Sequence, residues 1–192
     1  MNAKQLEYQT QYYGDCINTF REEEKHFVYG KLMGLQQSGD RFILPNIRVL
    51  DIGGGPTSLL LKCEGLSKGR VLDPIDFPDW TKDRYKSRGI DVTIGSGEDH
   101  VFEGYDEVWI YNMLGYTDDA KQLVENAFKS ANTVRVFEWI TLEKDRVRKQ
   151  YTEDELNELF AITEEDNGRV VDLKQRGCFG TAYYGVFKGL GK

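Results

Sequence analysis

Apolar side chains recur along the first 35 residues with the three- and four-residue spacing of a helix. The helical pattern covers about Tyr8–Leu35, and the charged run Arg21–Lys25 forms its solvated face. Asn18 or Thr19 is placed to cap the start of its regular part. We therefore expect residues 1–45 to form an N-terminal helical segment.

Short apolar runs follow Pro45 and alternate with helical stretches. The strand candidates are Arg48–Ile52, Arg70–Leu72, Asp91–Ile94, Glu107–Tyr111 and Thr133–Glu138. The helical stretches between them are clearest at Ser58–Cys63 and Asp118–Ser130. An alternation of this kind predicts parallel strands that are joined by right-handed crossovers.

The last forty residues follow a different pattern. Tyr151–Phe160 is predicted as a helix, and two strand candidates, Arg169–Lys174 and Thr181–Lys188, flank the glycine-bearing turn Arg176–Gly180. Strands so close in sequence pair as an antiparallel hairpin. Residues 46–192 thus predict a doubly wound α/β domain whose mostly parallel sheet ends in an antiparallel hairpin and carries helices on both faces.

Composition narrows the class of protein further. The chain has 192 residues, 40% of them hydrophobic and 30% charged, which predicts one folded domain with a core of its own. A formal net charge of −7 argues against extensive nucleic-acid binding. No apolar run is long enough to span a membrane, and no apolar signal segment opens the sequence, so we expect a cytoplasmic protein. The three scattered cysteines predict neither disulfides nor a metal site.

The segment RVLDIGGGPTSLLL, Arg48–Leu61, carries the clearest chemical signal. Its strand contains Asp51 and is followed by Gly53, Gly54 and Gly55. Glycines at this point allow the backbone to approach a ligand closely, because no Cβ is in the way. Nucleotide-bearing ligands lie across the carboxyl ends of parallel strands in such folds.

Two classes of ligand use a loop of this kind. A dinucleotide favours GxGxxG, but Ser58 stands where the third glycine belongs. The carboxylate of Asp51 would repel a pyrophosphate and suits the ammonium group of a methionine moiety, so the loop favours S-adenosylmethionine over NAD. Asp73 ends the second strand, where it is placed to accept ribose hydroxyls, and Asp76 is a nearby alternative.

At these residues the sequence resembles the class I S-adenosylmethionine-dependent methyltransferases of the small-molecule type, from about Arg48 to Glu138. The resemblance implies a Rossmann-like fold with S-adenosylmethionine as cofactor. It implies that the glycine loop holds the methionine part and that Asp73 holds the ribose. Further cofactor contacts implied after the third and fourth strands are Gly97, Glu98, Tyr111, Asn112 and Met113.

Three residues are candidates for catalysis or acceptor contact. Tyr116 stands where small-molecule relatives often carry histidine, and Glu138 ends the fifth strand as a base, an acceptor contact or a helix cap. His26 lies in the N-terminal helix, which is a candidate lid over the cofactor; an ordinary half-buried helix histidine is the alternative. Tyr12 or Tyr13 is placed over the cofactor if residues 1–45 form that lid, and a core-packing pair if not.

Methyl transfer from a sulfonium is an in-line displacement in which the enzyme positions the nucleophile and excludes water. The sequence predicts a methyltransferase acting on the oxygen or nitrogen of a small molecule or sugar. A nucleic-acid or nucleotide methyltransferase is the alternative, with Arg84, Lys86 and Arg88 as its only dense basic cluster. A non-catalytic module that binds S-adenosylmethionine is a third possibility.

Overall fold

The computed structural model describes residues 7–8, 10–11, 20–142, 149–162, 168–175 and 178–191. The sequence predictions for Tyr12, Tyr13, Asn18 and Thr19 lie outside these residues, as does the start of the turn at Arg176. Those predictions therefore stay predictions.

Four α-helices and ten strands are described from residue 20 onward. The helices are α1 (Phe20–Leu32), α2 (Asp79–Lys86), α3 (Ala120–Ser130) and α4 (Glu153–Phe160). The strands are β1 (Gln36–Ser38), β2 (Arg41–Ile43), β3 (Arg48–Ile52), β4 (Cys63–Glu64), β5 (Lys68–Asp73), β6 (Ile90–Ile94), β7 (Glu107–Tyr111), β8 (Thr133–Leu142), β9 (Arg169–Gln175) and β10 (Cys178–Lys188). Within the described ranges, no helix is long and apolar enough to cross a membrane.

The main sheet has seven strands in the order β6-β5-β3-β7-β8-β10-β9. The strands from β6 to β8 run parallel to one another, and β10 runs antiparallel to both β8 and β9. This order confirms the predicted mostly parallel sheet with a C-terminal antiparallel hairpin. The last strand inserts between β8 and β9, so the hairpin is joined to the sheet through its second strand.

Each face of the sheet carries its own hydrophobic core. Side chains alternate along β7, with Trp109 and Tyr111 on the face covered by α1 and α2, and Val108 and Ile110 on the face covered by α3 and α4. A strand buried on both faces carries a continuous apolar run, as β7 does from Val108 to Tyr111. The predicted helices on both faces are therefore confirmed.

The N-terminal prediction of an all-helical segment is wrong after Leu32, where α1 ends. Residues 36–43 form a β-hairpin, and β2 also pairs in parallel with β4 to make a separate three-stranded sheet. The tight turn between β1 and β2 has Gly39 at a φ of +59°, a conformation that glycine adopts without strain. Phe42 of β2 is fully buried and fits against Gly30, where α1 has no side chain.

The predicted helix Ser58–Cys63 is also wrong. The chain forms two short 3-10 segments, Gly55–Thr57 and Leu59–Lys62, which extended Ser58 separates. The Ser58 hydroxyl caps the second segment by accepting a hydrogen bond from the N–H group of Leu60. Because the N–H group of Ser58 bonds to a tyrosine hydroxyl outside this segment, it contributes to no helical ladder here.

Candidate functional site

The glycine loop lies at the point where the strand order reverses. From the neighbouring strands β3 and β7, the parallel sheet continues through β5 on one side and through β8 on the other. In open α/β sheets a crevice for ligands forms outside the carboxyl ends of the strands at this point. The loop after β3 and the residues after β7 both lie at this point of the sheet.

The three glycines of the loop are placed where larger residues do not fit. Gly53 and Gly55 have φ values of +70° and +61°, which L side chains rarely adopt. A Cβ on Gly53 would lie 2.9 Å from the side chain of Met113, and one on Gly54 would overlap the carboxylate of Asp51. The backbone of the loop therefore lies directly against Asp51 of β3 and against Met113, which follows β7.

Asp51 is completely buried beneath this loop. Its Oδ2 accepts hydrogen bonds from the Ser58 hydroxyl at 2.5 Å and from the Tyr111 hydroxyl at 2.9 Å. Among the described residues its Oδ1 has no hydrogen-bond partner. Burial raises the pKa of this carboxyl from 3.8 to about 7, although the two hydroxyl donors lower it.

Two tyrosine hydroxyls fix the segment that follows the glycines. The Tyr85 hydroxyl donates to the carbonyl of Gly55 at 2.5 Å and accepts from the N–H of Ser58 at 2.8 Å. The Tyr111 hydroxyl, which donates to Asp51, accepts from the N–H of Leu59 at 2.7 Å. Burial raises the pKa of both phenols well above its ordinary value, so both remain protonated donors.

Asp73 ends β5 on the same face as Asp51 and is almost fully buried. Its Oδ2 accepts from the N–H of Gly55 at 3.2 Å, and its Oδ1 accepts from the N–H of Ile75 at 2.9 Å. The two acids thus flank the glycine loop from adjacent strands. Asp76, the alternative, is exposed and forms an ion pair with Lys82 at 2.6 Å.

Gly97 and Glu98, which are predicted to contact the cofactor after the third strand, lie after β6. Gly97 is buried, and a Cβ there would lie 3.0 Å from Ile52 and 3.1 Å from Leu123. Glu98 is half-buried, and its Oε1 accepts from the N–H groups of Asp118 and Asp119, immediately before α3. This segment is therefore tied to the start of α3, which places it beside the crevice.

The turn after β7 is strained and held from β8. Asn112 has a φ of +53°, which is unusual for a residue other than glycine and recurs at functional sites. The Oε2 of Glu138 accepts from the N–H groups of Met113 at 3.0 Å and Leu114 at 2.7 Å. Its Oε1 accepts from the N–H of Trp139 at 2.9 Å. Glu138 is fully buried and orders this turn in the described conformation.

The other two catalytic candidates are Tyr116, which follows this turn, and His26, which lies on α1. Tyr116 is half-buried at the end of a short 3-10 segment, Leu114–Tyr116. His26 is buried on α1, and its ring centroid lies 6.5 Å from that of Tyr111. Tyr111 donates to Asp51, so α1 packs over the residue that anchors the buried acid.

Tyr85 is a site residue that sequence reasoning missed. It lies within the basic cluster Arg84, Lys86 and Arg88, whose charges indicate only a solvated helix face. Its hydroxyl bonds to residues 27 and 30 positions earlier in the chain. No local sequence pattern predicts such a contact, because the contact depends on how α2 packs against the loop.

Comparison with known proteins reveals the same fold in solved structures. The N-methyltransferase NodS from Bradyrhizobium japonicum, solved with S-adenosyl-L-homocysteine, matches with a TM-score of 0.69 at 13% identity over 97% of this chain and 98% of its own. A SAM-dependent methyltransferase from Aquifex aeolicus matches with a TM-score of 0.64 at 15% identity over 92% and 97%. The O-methyltransferase NcsB1, solved with S-adenosyl-L-homocysteine and 1,4-dihydroxy-2-naphthoic acid, gives 0.51 at 20% identity over 72% and 48%.

Sequence comparison adds nothing to this. No protein-family model matches the chain, and no curated protein matches it in sequence. The likeness is one of structure, and it agrees with the strand order and with the glycine loop at the sheet's carboxyl edge. The chain has the fold of the S-adenosylmethionine-dependent methyltransferases.

Proposed function

We propose that this chain binds S-adenosylmethionine at the glycine loop and transfers its methyl group to a small molecule or sugar. The observation that carries the proposal is Asp51, a buried carboxylate whose Oδ1 has no hydrogen-bond partner among the described residues. An ammonium group is the natural partner of such an oxygen, since a buried acid is stabilised by an adjacent cation. The S-adenosyl-L-homocysteine complexes of NodS and NcsB1 support this choice of cofactor.

The residues present fit such a cofactor. Asp51 would face the ammonium of the methionine part, while Gly53, Gly54 and Gly55 leave room for it. Asp73 would hold the ribose, because its carboxylate lies at the carboxyl end of the strand next to β3 and directly beside the glycine loop. The residues expected to line the remainder are Gly97, Glu98, Tyr111, Asn112, Met113 and, outside the described residues, Tyr13.

When bound, the sulfonium supplies an electrophilic methyl group. The chain's own contribution is to orient the acceptor and exclude water. Glu138 orders the turn after β7 through the backbone N–H groups of Met113 and Leu114. His26 and Tyr116 are the proposed proton acceptors, which matter more for a hydroxyl acceptor than for an amine.

A small acceptor is favoured by the known neighbours and by the charge of the chain. NodS is an N-methyltransferase, another match is the mitomycin 7-O-methyltransferase MmcR, and NcsB1 was solved with a dihydroxynaphthoic acid. The net charge of −7 disfavours a large polyanionic acceptor. We propose that α1 and the residues before it cover the bound substrates.

Calorimetric titration with S-adenosylmethionine, S-adenosylhomocysteine and NAD tests the proposal. The first two are expected to bind and NAD is not. A screen of phenols, amines and sugars with labelled methyl donor then identifies the acceptor. Binding of NAD without binding of either sulfur ligand would overturn the assignment, and binding without methyl transfer to any acceptor would favour a non-catalytic module.

A further inference from the structure

The glycine loop of this chain is not followed by an α-helix. In doubly wound folds, the helix after the first strand begins at the loop, and its free N–H groups support the loop and its ligand. Here two 3-10 segments of three and four residues take its place, and β4 follows directly. The conformation of the loop must therefore be held by contacts from elsewhere.

Those contacts come from two buried tyrosines on different elements. Tyr85 of α2 bonds through its hydroxyl to both the carbonyl of Gly55 and the N–H of Ser58. Tyr111 of β7 bonds through its hydroxyl to both the carboxylate of Asp51 and the N–H of Leu59. Each hydroxyl donates its single proton in one hydrogen bond and accepts one further hydrogen bond from a backbone N–H group.

The two hydroxyls act at consecutive points of the chain. The N–H groups of Ser58 and Leu59 are adjacent, and each is satisfied by one of the two tyrosines. In this conformation the Ser58 side chain also reaches Asp51, so the acid, the loop and both phenols form one connected network. A buried network of this kind fixes its members most strongly when every donor has a partner.

We propose that Tyr85 and Tyr111 are positioning residues that hold the glycine loop in the conformation that binds the cofactor, in place of the missing crossover helix. This inference rests on the proposed function. Both hydroxyls act through the backbone of the loop, and that of Tyr111 acts also through Asp51. The contact proposed above between Tyr111 and the cofactor is assigned to its ring, which Tyr111→Phe keeps. Through ring contacts with His26 and Tyr29, Tyr111 further links the loop to α1.

The test uses the full chain with Tyr85→Phe and Tyr111→Phe, which keep the rings and remove the hydroxyls. The affinity for S-adenosylmethionine, measured by calorimetry, is expected to fall about tenfold in each variant, because buried N–H groups lose their partner. Amide hydrogen exchange should become faster at Ser58 in Tyr85→Phe and at Leu59 in Tyr111→Phe. This crossed pattern is specific to the two hydroxyls, since a general loosening of the core would raise exchange elsewhere too.

Two controls separate positioning from ordinary destabilisation. Tyr183→Phe removes the hydroxyl of a buried tyrosine in the other core, and Val124→Ala lowers stability from α3 on that same face. Both are expected to bind S-adenosylmethionine within twofold of the unaltered chain. An affinity loss in Val124→Ala equal to that of the tyrosine variants, at the same loss of stability, would overturn the inference.

A failure of the positioning role gives a different experimental result from a failure of the proposed function. If the unaltered chain fails to bind S-adenosylmethionine, the proposed function is wrong, and both phenols are then tested by hydrogen exchange of the loop alone. If the unaltered chain binds and both tyrosine variants bind equally tightly, the positioning role is wrong and the proposed cofactor stands. Unchanged exchange at Ser58 and Leu59 would contradict the positioning role in either case.

Discussion

Asp51 and Glu107 are buried carboxylates on the neighbouring strands β3 and β7, on the same face of the sheet and at opposite ends of it. Glu107, at the amino end, receives two hydrogen bonds of 2.7 Å from the guanidinium of Arg135 and one of 2.8 Å from the indole of Trp109. Asp51, at the carboxyl end, is held by the hydroxyls of Ser58 and Tyr111.

The difference distinguishes Glu107, whose charge is paired within the protein, from Asp51, whose charge we propose to be paired by a ligand. A buried acid with a bidentate arginine is already neutralised, so nothing further has to bind there. Burial raises the pKa of Asp51 to about 7, which means that its charge is costly until a cation arrives. We therefore assign a stabilising role to the amino end of the sheet and, under the proposed function, ligand binding to the carboxyl end.

The largest expected effect is on stability, at the amino end. Arg135→Met should lower the free energy of unfolding by about 3 kcal/mol, because it leaves Glu107 buried without its cation. Chemical denaturation measures this change, and the double variant Glu107→Leu with Arg135→Met should regain most of it. The affinity for S-adenosylmethionine should change less than twofold. A large loss of affinity would show that the two ends are not separate in function.

The second effect is on binding, through Asp73. Asp73→Ala should weaken S-adenosylmethionine binding about thirtyfold, equivalent to about 2 kcal/mol, because the ribose hydroxyls lose their acceptor. The variant should also lose some stability, since the N–H groups of Gly55 and Ile75 lose theirs. Asp73→Asn keeps one acceptor and serves as the matched control.

Adenosine, which has the ribose but no methionine part, sharpens this prediction. Its binding should depend on Asp73 and be indifferent to Asp51→Asn. Equal sensitivity of adenosine to both substitutions would contradict the division of roles between the two acids.

The smallest effect is expected at Glu138, whose donors are backbone N–H groups. Glu138→Gln should cost about 1 kcal/mol of stability, because an amide offers one acceptor oxygen where the carboxylate offers two. Hydrogen exchange at Met113 or Leu114 should become faster. If exchange and stability are unchanged while methyl transfer is abolished, Glu138 is a base and not a positioning group.

Much of the fold follows from local patterns. β7 is apolar from Val108 to Tyr111 and β3 is followed by a glycine-rich turn, so both were predictable as strands of a parallel sheet. The hairpin β1–β2 was missed because its strands are three residues long and largely polar. The run Ser38–Arg41, with Gly39 and Asp40 between the strands, is a turn signal that would have located it.

The site was predictable only where its chemistry lies in one segment. Asp51 and the glycines are contiguous, and Asp73 ends the next strand of the sheet. The hydrogen bonds that hold the N–H groups of Ser58 and Leu59 come from Tyr85 and Tyr111, which lie 27 and 52 residues further along the chain. Three leucines in a row favour a helix, but such a local preference does not by itself decide the structure of a segment.

The raised pKa of Asp51 also predicts how the free energy of unfolding depends on pH. Because burial raises its pKa from 3.8 to about 7, the folded state binds the proton more tightly than the unfolded state. The stabilisation is complete below about pH 3.8 and is lost as the pH rises through about 7. Stability in Asp51→Asn should depend less on pH across this window, as measured by denaturation at several pH values.

The most direct test is the affinity for S-adenosylmethionine between pH 5.5 and 7.5, in the unaltered chain and in Asp51→Asn. This range keeps most of the ligand's α-amino group protonated. If the ammonium binds the ionised carboxylate, affinity in the unaltered chain should rise roughly twentyfold across the range. Asp51→Asn should bind more weakly at pH 7.5 and lose most of this rise. Parallel pH profiles for the two proteins would contradict the role of Asp51.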